Sequence, residues 1–522
     1  MSAKPVLIAL DAGTSMLKAV ALDLNGTPLA IEERRNRYVE GPGGLAEQDM
    51  AETWRAAADT LGRLVARLEG VEVAGLAITG QGDGTWLVDA AGEPAGPALL
   101  WLDGRAGPIV ARIRETGAGR IAFRETGTGP AACNQSGQLL WLAAHRPEQL
   151  ARAATAMHCK DWLYFKLTGA RATDPSEACF TFGSWRRRAY SDAAITAFGL
   201  EARRHLLPPI VDGTTTHHGL TGDAARALGL KSGTPVALGY VDVLCSALGA
   251  GIYGTGEEGG TSIIGSTGMN IRLADDDFER PEDAPLSGYR MVFPVPGKTA
   301  LMQSSLAATL NIDWLVGLAD QAVTLAGHNS DHRAMLAALD ATVLGATPGR
   351  ALYHPYISSA GERGPFTDQR ARATFAGLDR SLDLPGMMRT VYEGIALAAA
   401  DCYAAMGGAP DVVSVTGGAS RSAAMRAILA AMLDRPVRIV TEHGSGALGA
   451  AMIAAVGLGI KPDMEAAARD WVVKLLAERV APDPGLVATY APLLPMFQAA
   501  RETMTDFWHH FGDYQDARTA HV

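Results

Sequence analysis

Four aspartates stand where a carboxylate could do chemistry. Asp11 ends the apolar run Val6 to Leu10 and enters the turn Ala12-Gly13-Thr14-Ser15. Asp83 lies in Gly80-Gln-Gly-Asp-Gly84, Asp103 follows Ala98 to Trp101, and Asp242 follows Pro235 to Tyr240. A Gly/Ser/Thr turn between two strands gathers backbone N–H and hydroxyl donors into a concave cluster that suits phosphate oxygens. A bare carboxylate would repel phosphate, so Asp11 makes sense with a divalent cation and its waters between them. Lys18, on the returning strand, could add positive charge. The alternative is that Asp11 only stabilises its hairpin turn.

Asp242, at the carboxyl end of a strand, suits a general base that takes a proton from a hydroxyl. The same residue could cap a helix over Val243 to Leu248. Ligands of open α/β sheets gather at the carboxyl ends of strands. Asp83 and Asp103 could therefore accept hydrogen bonds from a polyhydroxy ligand, or both could be solvent-facing turn formers. A second turn, Gly265-Ser-Thr267-Gly268, repeats the character of the first halfway down the chain. Two such turns, one opening each half, suggest a duplicated domain gripping one phosphate chain from both sides. Thr416-Gly417-Gly418-Ala419 lacks the Gly-x-Gly-x-x-Gly spacing, which lowers a dinucleotide reading. Its paired glycines let a flat ligand approach the backbone. Gly444 to Ala451 reads as close helix packing.

The elements that must position these residues alternate strand and helix. Residues 1–30 form a hairpin, Ala51 to Leu68 a helix with Trp54, Leu61 and Leu68 on one apolar side, and Val71 to Thr79 a buried strand. The pattern restarts near Ala250, a plausible hinge. Leu384 to Met406 reads as a long helix, and Val412 to Val415 as a strand. At 522 residues the chain exceeds a single core. The division is residues 1–250, 251–490, and a partly loose polar and aromatic tail, 491–522.

A net charge of −10 argues against a nucleic-acid partner. No apolar run approaches membrane-spanning length. The first strand starts too early to leave room for a signal peptide. The five cysteines are scattered, with no Cys-x-x-Cys, as in reduced cytoplasmic proteins. His217-His218 and His509-His510 are adjacent pairs, poorly placed to share a metal.

Together these segments resemble the FGGY carbohydrate kinases nearly end to end. Leu10-Asp-Ala-Gly-Thr-Ser15 is similar to the first phosphate motif of that family, and Ser266-Thr-Gly268 to the second. Leu100-Trp-Leu-Asp-Gly-Arg105, Lys160-Asp-Trp-Leu163, Gly239-Tyr-Val-Asp242, Gly361-Glu-Arg363, Phe375-Ala-Gly-Leu378 and Tyr392-Glu-Gly394 also fit. Gly417-Gly-Ala419 with Ala447-Leu-Gly-Ala450 is similar to its adenosine motif.

The resemblance implies two actin/hexokinase-like (ribonuclease H-like) α/β domains, each with a central mixed sheet, and a cleft between them. It implies ATP and Mg2+, a small polyol or sugar on the first domain, and ATP on the second. Asp242 would be the base, and Asp11 with Asp242 would organise magnesium. Gly13, Thr14, Ser15, Lys18, Thr267 and Gly268 would face the phosphates; Gly417, Gly418 and Ser422 would lie near the nucleoside. Asn134 and Gln135 fall near a further substrate contact. Where glycerol kinases carry Arg-Glu and xylulokinases Met-His, this chain has Gly82-Asp83, and Gly82 is expected to leave room for a substrate longer than glycerol. Gly82 to Asp89 is most similar to erythritol kinases, with L-xylulose, other ketopentose and keto-gulonate kinases as the alternative. From another class, an actin-like ATP-binding chaperone is disfavoured by Asp83, Asp103 and Asp242, and a non-catalytic sensor by Asp11, Asp242 and both turns. Homodimerisation is left open.

Overall fold

The computed structural model describes residues 4–329, 331–440 and 444–519. Its first sheet starts from an apolar strand, Lys4–Ala12 (β1), which turns at Gly13–Ser15 into Met16–Asp23 (β2) and then Pro28–Arg35 (β3). Val71–Gly80 (β4), His217–Gly219 (β5) and Pro235–Leu238 (β6) complete it, in the order β5-β6-β4-β1-β2-β3. β1, β4 and β6 run parallel; β1-β2-β3 is an antiparallel meander. Val6 to Leu10 are buried on both faces, as a central strand of a covered sheet must be.

The second sheet repeats this plan. Gly259–Ile264 (β7) and Gly268–Asp275 (β8) form its hairpin, followed by Tyr289–Val292 (β9), Lys298–Ser305 (β10), Val412–Thr416 (β11), Val437–Val440 (β12) and Leu476–Val480 (β13). The order is β9-β10-β8-β7-β11-β12-β13, with β7, β11 and β12 parallel and β10-β8-β7 antiparallel. Each half therefore joins an antiparallel meander to parallel strands fed by helices. The fold is the two-domain α/β architecture with a mixed sheet in each half.

Helices cover both sheets. Met50–Ala66 (α1) packs its buried Ala57, Leu61 and Leu64 on the first sheet. Gly117–Thr126 (α2), Cys159–Thr168 (α3) and Pro175–Phe182 (α4) follow, then Asp242–Gly249 (α5). In the second half lie Thr309–Leu325 (α6), His332–Gly345 (α7), Leu384–Ala405 (α8), Ala423–Leu433 (α9) and Ser445–Gly457 (α10).

α5 and α10 cross where only glycine fits. A Cβ on Gly249 would lie 2.1 Å from the Ser445 carbonyl, and one on Gly449 would lie 2.0 Å from that of Cys245. The expected loose tail is ordered over residues 493–519. Leu493–Thr519 (α11) is a helix whose Phe497 and Trp508 are buried against Tyr356 and Leu397. Phe497, Arg501, Met504 and Trp508 recur at helical spacing, a periodicity hidden by the polar residues between them.

Candidate active site

A cavity of about 170 Å³ is lined from both halves. The first half contributes Thr14, Asp83, Trp101 and Asp242; the second contributes Thr267, Met269, Tyr289 and Arg363.

Asp11, next to last in β1, stands opposite Lys18 in the hairpin register. Its carboxylate rests on the bare backbone of Gly446 in α10, where a Cβ would come within 2.2 Å of Oδ2. The Gly444 to Ala451 segment thus touches the Asp11 carboxylate as well as packing helices. Burial raises the Asp11 pKa to about 6, against the pull of Lys18. Lys18 itself is paired with Glu33 of β3 at 2.7 Å, not left free over the turn.

Asp242 does not cap α5. It is the first helical residue, with Val241 at the cap, and its Oδ1 accepts the Val243 N–H at 2.7 Å. Burial, and then the Asp11 charge, hold its carboxyl well above the usual range. Two partly desolvated carboxylates beside phosphate-type turns are a donor set that fits magnesium, which takes one or two carboxylates and fills its shell with water and phosphate. Among the described residues no group of three or more His, Cys, Asp or Glu side chains could hold a metal alone.

Asp83 sits in the left-handed region at φ 55°, a costly backbone state for a non-glycine residue. Three contacts hold it there. Asn134 Nδ2 donates to Oδ1 at 2.8 Å, the Tyr289 hydroxyl donates to Oδ2 at 2.8 Å, and the Asp83 N–H donates to Glu177 Oε1 at 3.2 Å. Asn134 therefore positions Asp83 and does not line the cavity wall. Gln135 is fully buried, with Nε2 donating to the Met157 carbonyl at 2.9 Å, so it holds the wall from behind.

Behind this loop lies a buried charge network. Glu177 pairs with His158 at 2.9 Å, and Lys160 bridges Asp161 at 2.8 Å and Asp174 at 2.6 Å. Burial works against a charged His158, but Glu177 and Asp161 outweigh it and raise its pKa to about 10. The Val241 N–H donates to Ser176 Oγ at 3.1 Å, so the same network braces the start of α5.

Two expectations need correction. Asp103 does not reach the cavity. Its carboxylate accepts the Ala46 N–H at 3.0 Å and clamps Arg105 at 2.6 Å, and it is 1% exposed. Its partner lies two residues away, so the turn satisfies its own charge. Gly82 lines the cavity but opens no room along its side-chain direction. A Cβ there would lie 2.4 Å from Val241 Cγ2 and 2.9 Å from Glu177 Oε1.

The two turns differ in how they are held. Thr14 Oγ1 donates to Gln81 Oε1 at 2.9 Å and accepts from Trp101 Nε1 at 2.8 Å. The Gly13 carbonyl accepts from Asn36 Nδ2 and the Ser15 carbonyl from the Asn36 N–H, both at 2.9 Å. Thr267 closes the second turn, its carbonyl accepting the Gly265 N–H at 3.0 Å; a Cβ on Gly268 would strike Ser305 Oγ at 2.5 Å.

A separate cavity of about 310 Å³ in the second half is lined by Gly418, Ser422, Asp340, Tyr392 and Ile312. Ser422 caps α9 and donates its hydroxyl to Asp340. Gly417 lies outside this lining at φ 83°, where a Cβ would meet the Ile264 carbonyl at 2.6 Å.

Trp101, Tyr289 and Arg363 escaped the choice of site residues. Trp101 and Arg363 belong to the family-like segments Leu100–Arg105 and Gly361–Arg363, and Arg363 stands 5.7 Å over the Trp101 ring. Tyr289 had no local signal, since its partner Asp83 is 206 positions away.

The pattern of the FGGY family of carbohydrate kinases, N-terminal domain, matches residues 6–249, and that of its C-terminal domain matches residues 260–458. The chain belongs to this family. As an FGGY carbohydrate kinase it transfers phosphate from ATP to a sugar or polyol. It is 44% identical to the erythritol kinase of Brucella abortus (strain 2308), over 96% of this chain and 97% of that protein. It is 29% identical to the xylulose kinase of Escherichia coli (strain K12), over 86% of this chain and 89% of that one. Among solved structures, the xylulose kinase of Rhodospirillum rubrum superposes with a TM-score of 0.85 at 27% identity, covering 97% of this chain and 100% of that one. The gluconate kinase of Lactobacillus acidophilus shares the fold, with a TM-score of 0.88 at 22% identity, over 97% and 100% of the two chains. No helix among the described residues is long and apolar enough to cross a membrane.

Proposed function

We propose that this FGGY kinase phosphorylates a hydroxyl of erythritol, with Asp242 as the general base and Mg-ATP as the donor. The observation that carries the reading is Asp83, held across the cleft by Tyr289 in a small cavity that also exposes Asp242. The near full-length relationship to an erythritol kinase supports the choice among polyols.

In this reading Asp83 accepts hydroxyls of the polyol, and Trp101 and the methionines Met269, Met291 and Met302 cover its carbons. A carboxylate whose proton affinity is raised by burial accepts a hydroxyl proton more readily than an ordinary one. Asp242 would take that proton as the oxygen attacks the terminal phosphorus of ATP. Thr14 and Thr267, one from each turn, would flank the transferred group. Asp11 and Asp242 would hold magnesium, which would neutralise charge on the phosphates when bound. Gly418 and Ser422 would border the nucleoside in the second cavity. Five buried, unpaired cysteines accord with a reducing cytoplasm.

The test is kcat/KM with ATP for erythritol, glycerol, D-xylulose and L-xylulose. Erythritol should exceed each of the others by at least about tenfold, the discrimination one well-made set of hydroxyl contacts supplies. A ketopentose turned over faster than erythritol would replace this reading with that of a ketopentose kinase.

A further inference from the structure

Tyr289 and Arg290 are consecutive in β9 and so point to opposite faces of the sheet. Tyr289 meets the active-site cavity. Arg290 lines a different cavity of about 430 Å³, walled by α2 and Trp185–Arg186 of the first half and by the 279–282 loop of the second. Five arginines and two glutamates line it, in a chain whose net charge is −10.

The glutamates are already engaged, Glu279 with Arg186 and Glu282 with Arg124. The other three guanidinium groups meet only neutral oxygens. Arg120 Nη1 donates to the Ala284 carbonyl at 2.7 Å. Arg280 donates to the carbonyls of Ser287 at 3.0 Å and Tyr289 at 3.2 Å, and its Nε is buried without a hydrogen-bond partner. Arg290, 2% exposed, donates to Thr299 Oγ1 at 3.1 Å and to the carbonyls of Phe278 at 2.5 Å and Asp275 at 2.8 Å.

Burial, with a neighbouring guanidinium in each case, pushes Arg280 and Arg290 down to about 10; Asp276 and Asp277 offset part of this at Arg290. Concentrated buried charge of one sign is unfavourable unless a counter-charge joins it. The aromatic rings set the geometry. Trp185 has Arg186 and Arg290 each 4.3 Å from its centroid, and Phe123 has Arg280 at 5.4 Å and Arg120 at 5.8 Å. A guanidinium carries five N–H donors, of which the contacts above use one at Arg120, two at Arg280 and three at Arg290, so each retains N–H groups for an acceptor such as a tetrahedral oxyanion.

We propose that this cavity is a second anion site, which binds a phosphate group, free or as a monoester, through Arg120, Arg280 and Arg290. It lies apart from the two turns that face the transferred phosphate, and its ligand bridges both halves of the chain.

The test is calorimetric titration of the full-length protein with inorganic phosphate, at ionic strength held constant with sodium chloride because unspecific anion binding is screened by salt. Saturable binding is expected. Arg280→Gln and Arg120→Gln should each weaken it by about tenfold, the loss of one charge-assisted pair. Thr267→Ala, altered at the second turn, should retain it, which separates this site from the active site. Arg120→Gln gives up a single backbone contact, so the test survives if Arg280→Gln fails to fold. A parallel titration with a polyol monophosphate distinguishes the sources: tighter binding than phosphate assigns an ester, equal binding the free anion. Absence of saturable binding overturns the proposal. So does binding by both arginine variants equal to that of the parent.

Discussion

At the first hairpin the leading strand ends in Asp11 and Ala12, with a carboxylate next to last; at the second, it ends in Ile263 and Ile264. The same topology surrounds both, a meander joined to parallel strands. Yet the two acidic groups that line the cavity, Asp83 and Asp242, and Asp11, whose charge is felt at Asp242, all come from the first half. The second half supplies Thr267, the Tyr289 hydroxyl, the Arg363 guanidinium and a wall of methionine. The two halves share a scaffold, while the groups lining the cavity divide into acceptors on one side and donors with apolar cover on the other. Such a site is complete only when both halves meet.

The largest effect expected from breaking this division is at Asp242. Asp242→Asn keeps the shape and the Val243 contact but removes the base, so kcat should fall on the order of 10²–10⁴-fold while KM for both substrates changes little. A kcat within tenfold of the parent would take the base role away from the first half.

Asp103 belongs to the first half yet stands outside the acceptor set. Asp103→Asn should cost roughly 3 kcal/mol of stability, because it leaves Arg105 buried against a weakened partner. Once folded, the variant should keep the parent's kcat and KM. A selective rise in the polyol KM would return Asp103 to the substrate site.

In the second half, Glu362 is held up to about 7, chiefly by burial, against the pull of the Arg363 and Leu306 N–H groups. Its folded pKa lies above its unfolded value, so its contribution to stability is complete below about pH 4.5 and is lost as pH rises through 7. Across that window the loss should be on the order of 3 kcal/mol. Urea midpoints at pH 5 and pH 8 should converge in Glu362→Gln relative to the parent. Parallel shifts in the two proteins would refute it.

The smallest effect should come from Tyr289→Phe, which removes the one hydroxyl that reaches from the second half to Asp83. A lost hydrogen bond to a charged group costs about 1.5 kcal/mol, close to tenfold in kcat/KM for the polyol. KM for ATP should stay unchanged. If both substrates suffer equally, Tyr289 braces the domains and does not tune the acceptor.

The uneven legibility of the two halves has a physical origin. Asp11, Asp242, the two turns and Gly418 announce themselves through strand ends and glycine turns, which are local and repeat in any such fold. Asp103 misled because its role depends on Arg105 and on the Ala46 N–H, brought in by the short strand Leu45–Gln48. Gly82 read as open space, whereas Val241 had already filled it. Tyr289 was invisible because β9 is an edge strand whose significance comes from what lies across the cleft. Nothing in the spacing of Asn134 and Asp83 betrays their hydrogen bond either. The helix over 493–519 was obscured because its buried residues are outnumbered by polar ones.

The contact between α5 and α10 carries one more implication. With backbone against backbone at Gly249 and Gly449, neither helix can accept a single extra methyl without moving the other. In a saturation mutagenesis screen these two positions should therefore appear as intolerant as Asp242, the proposed base. Yet neither contributes an atom to the cavity lining. A fitness map alone would mark the crossing as a second catalytic centre, and only separate measurements of abundance and turnover would tell the two apart.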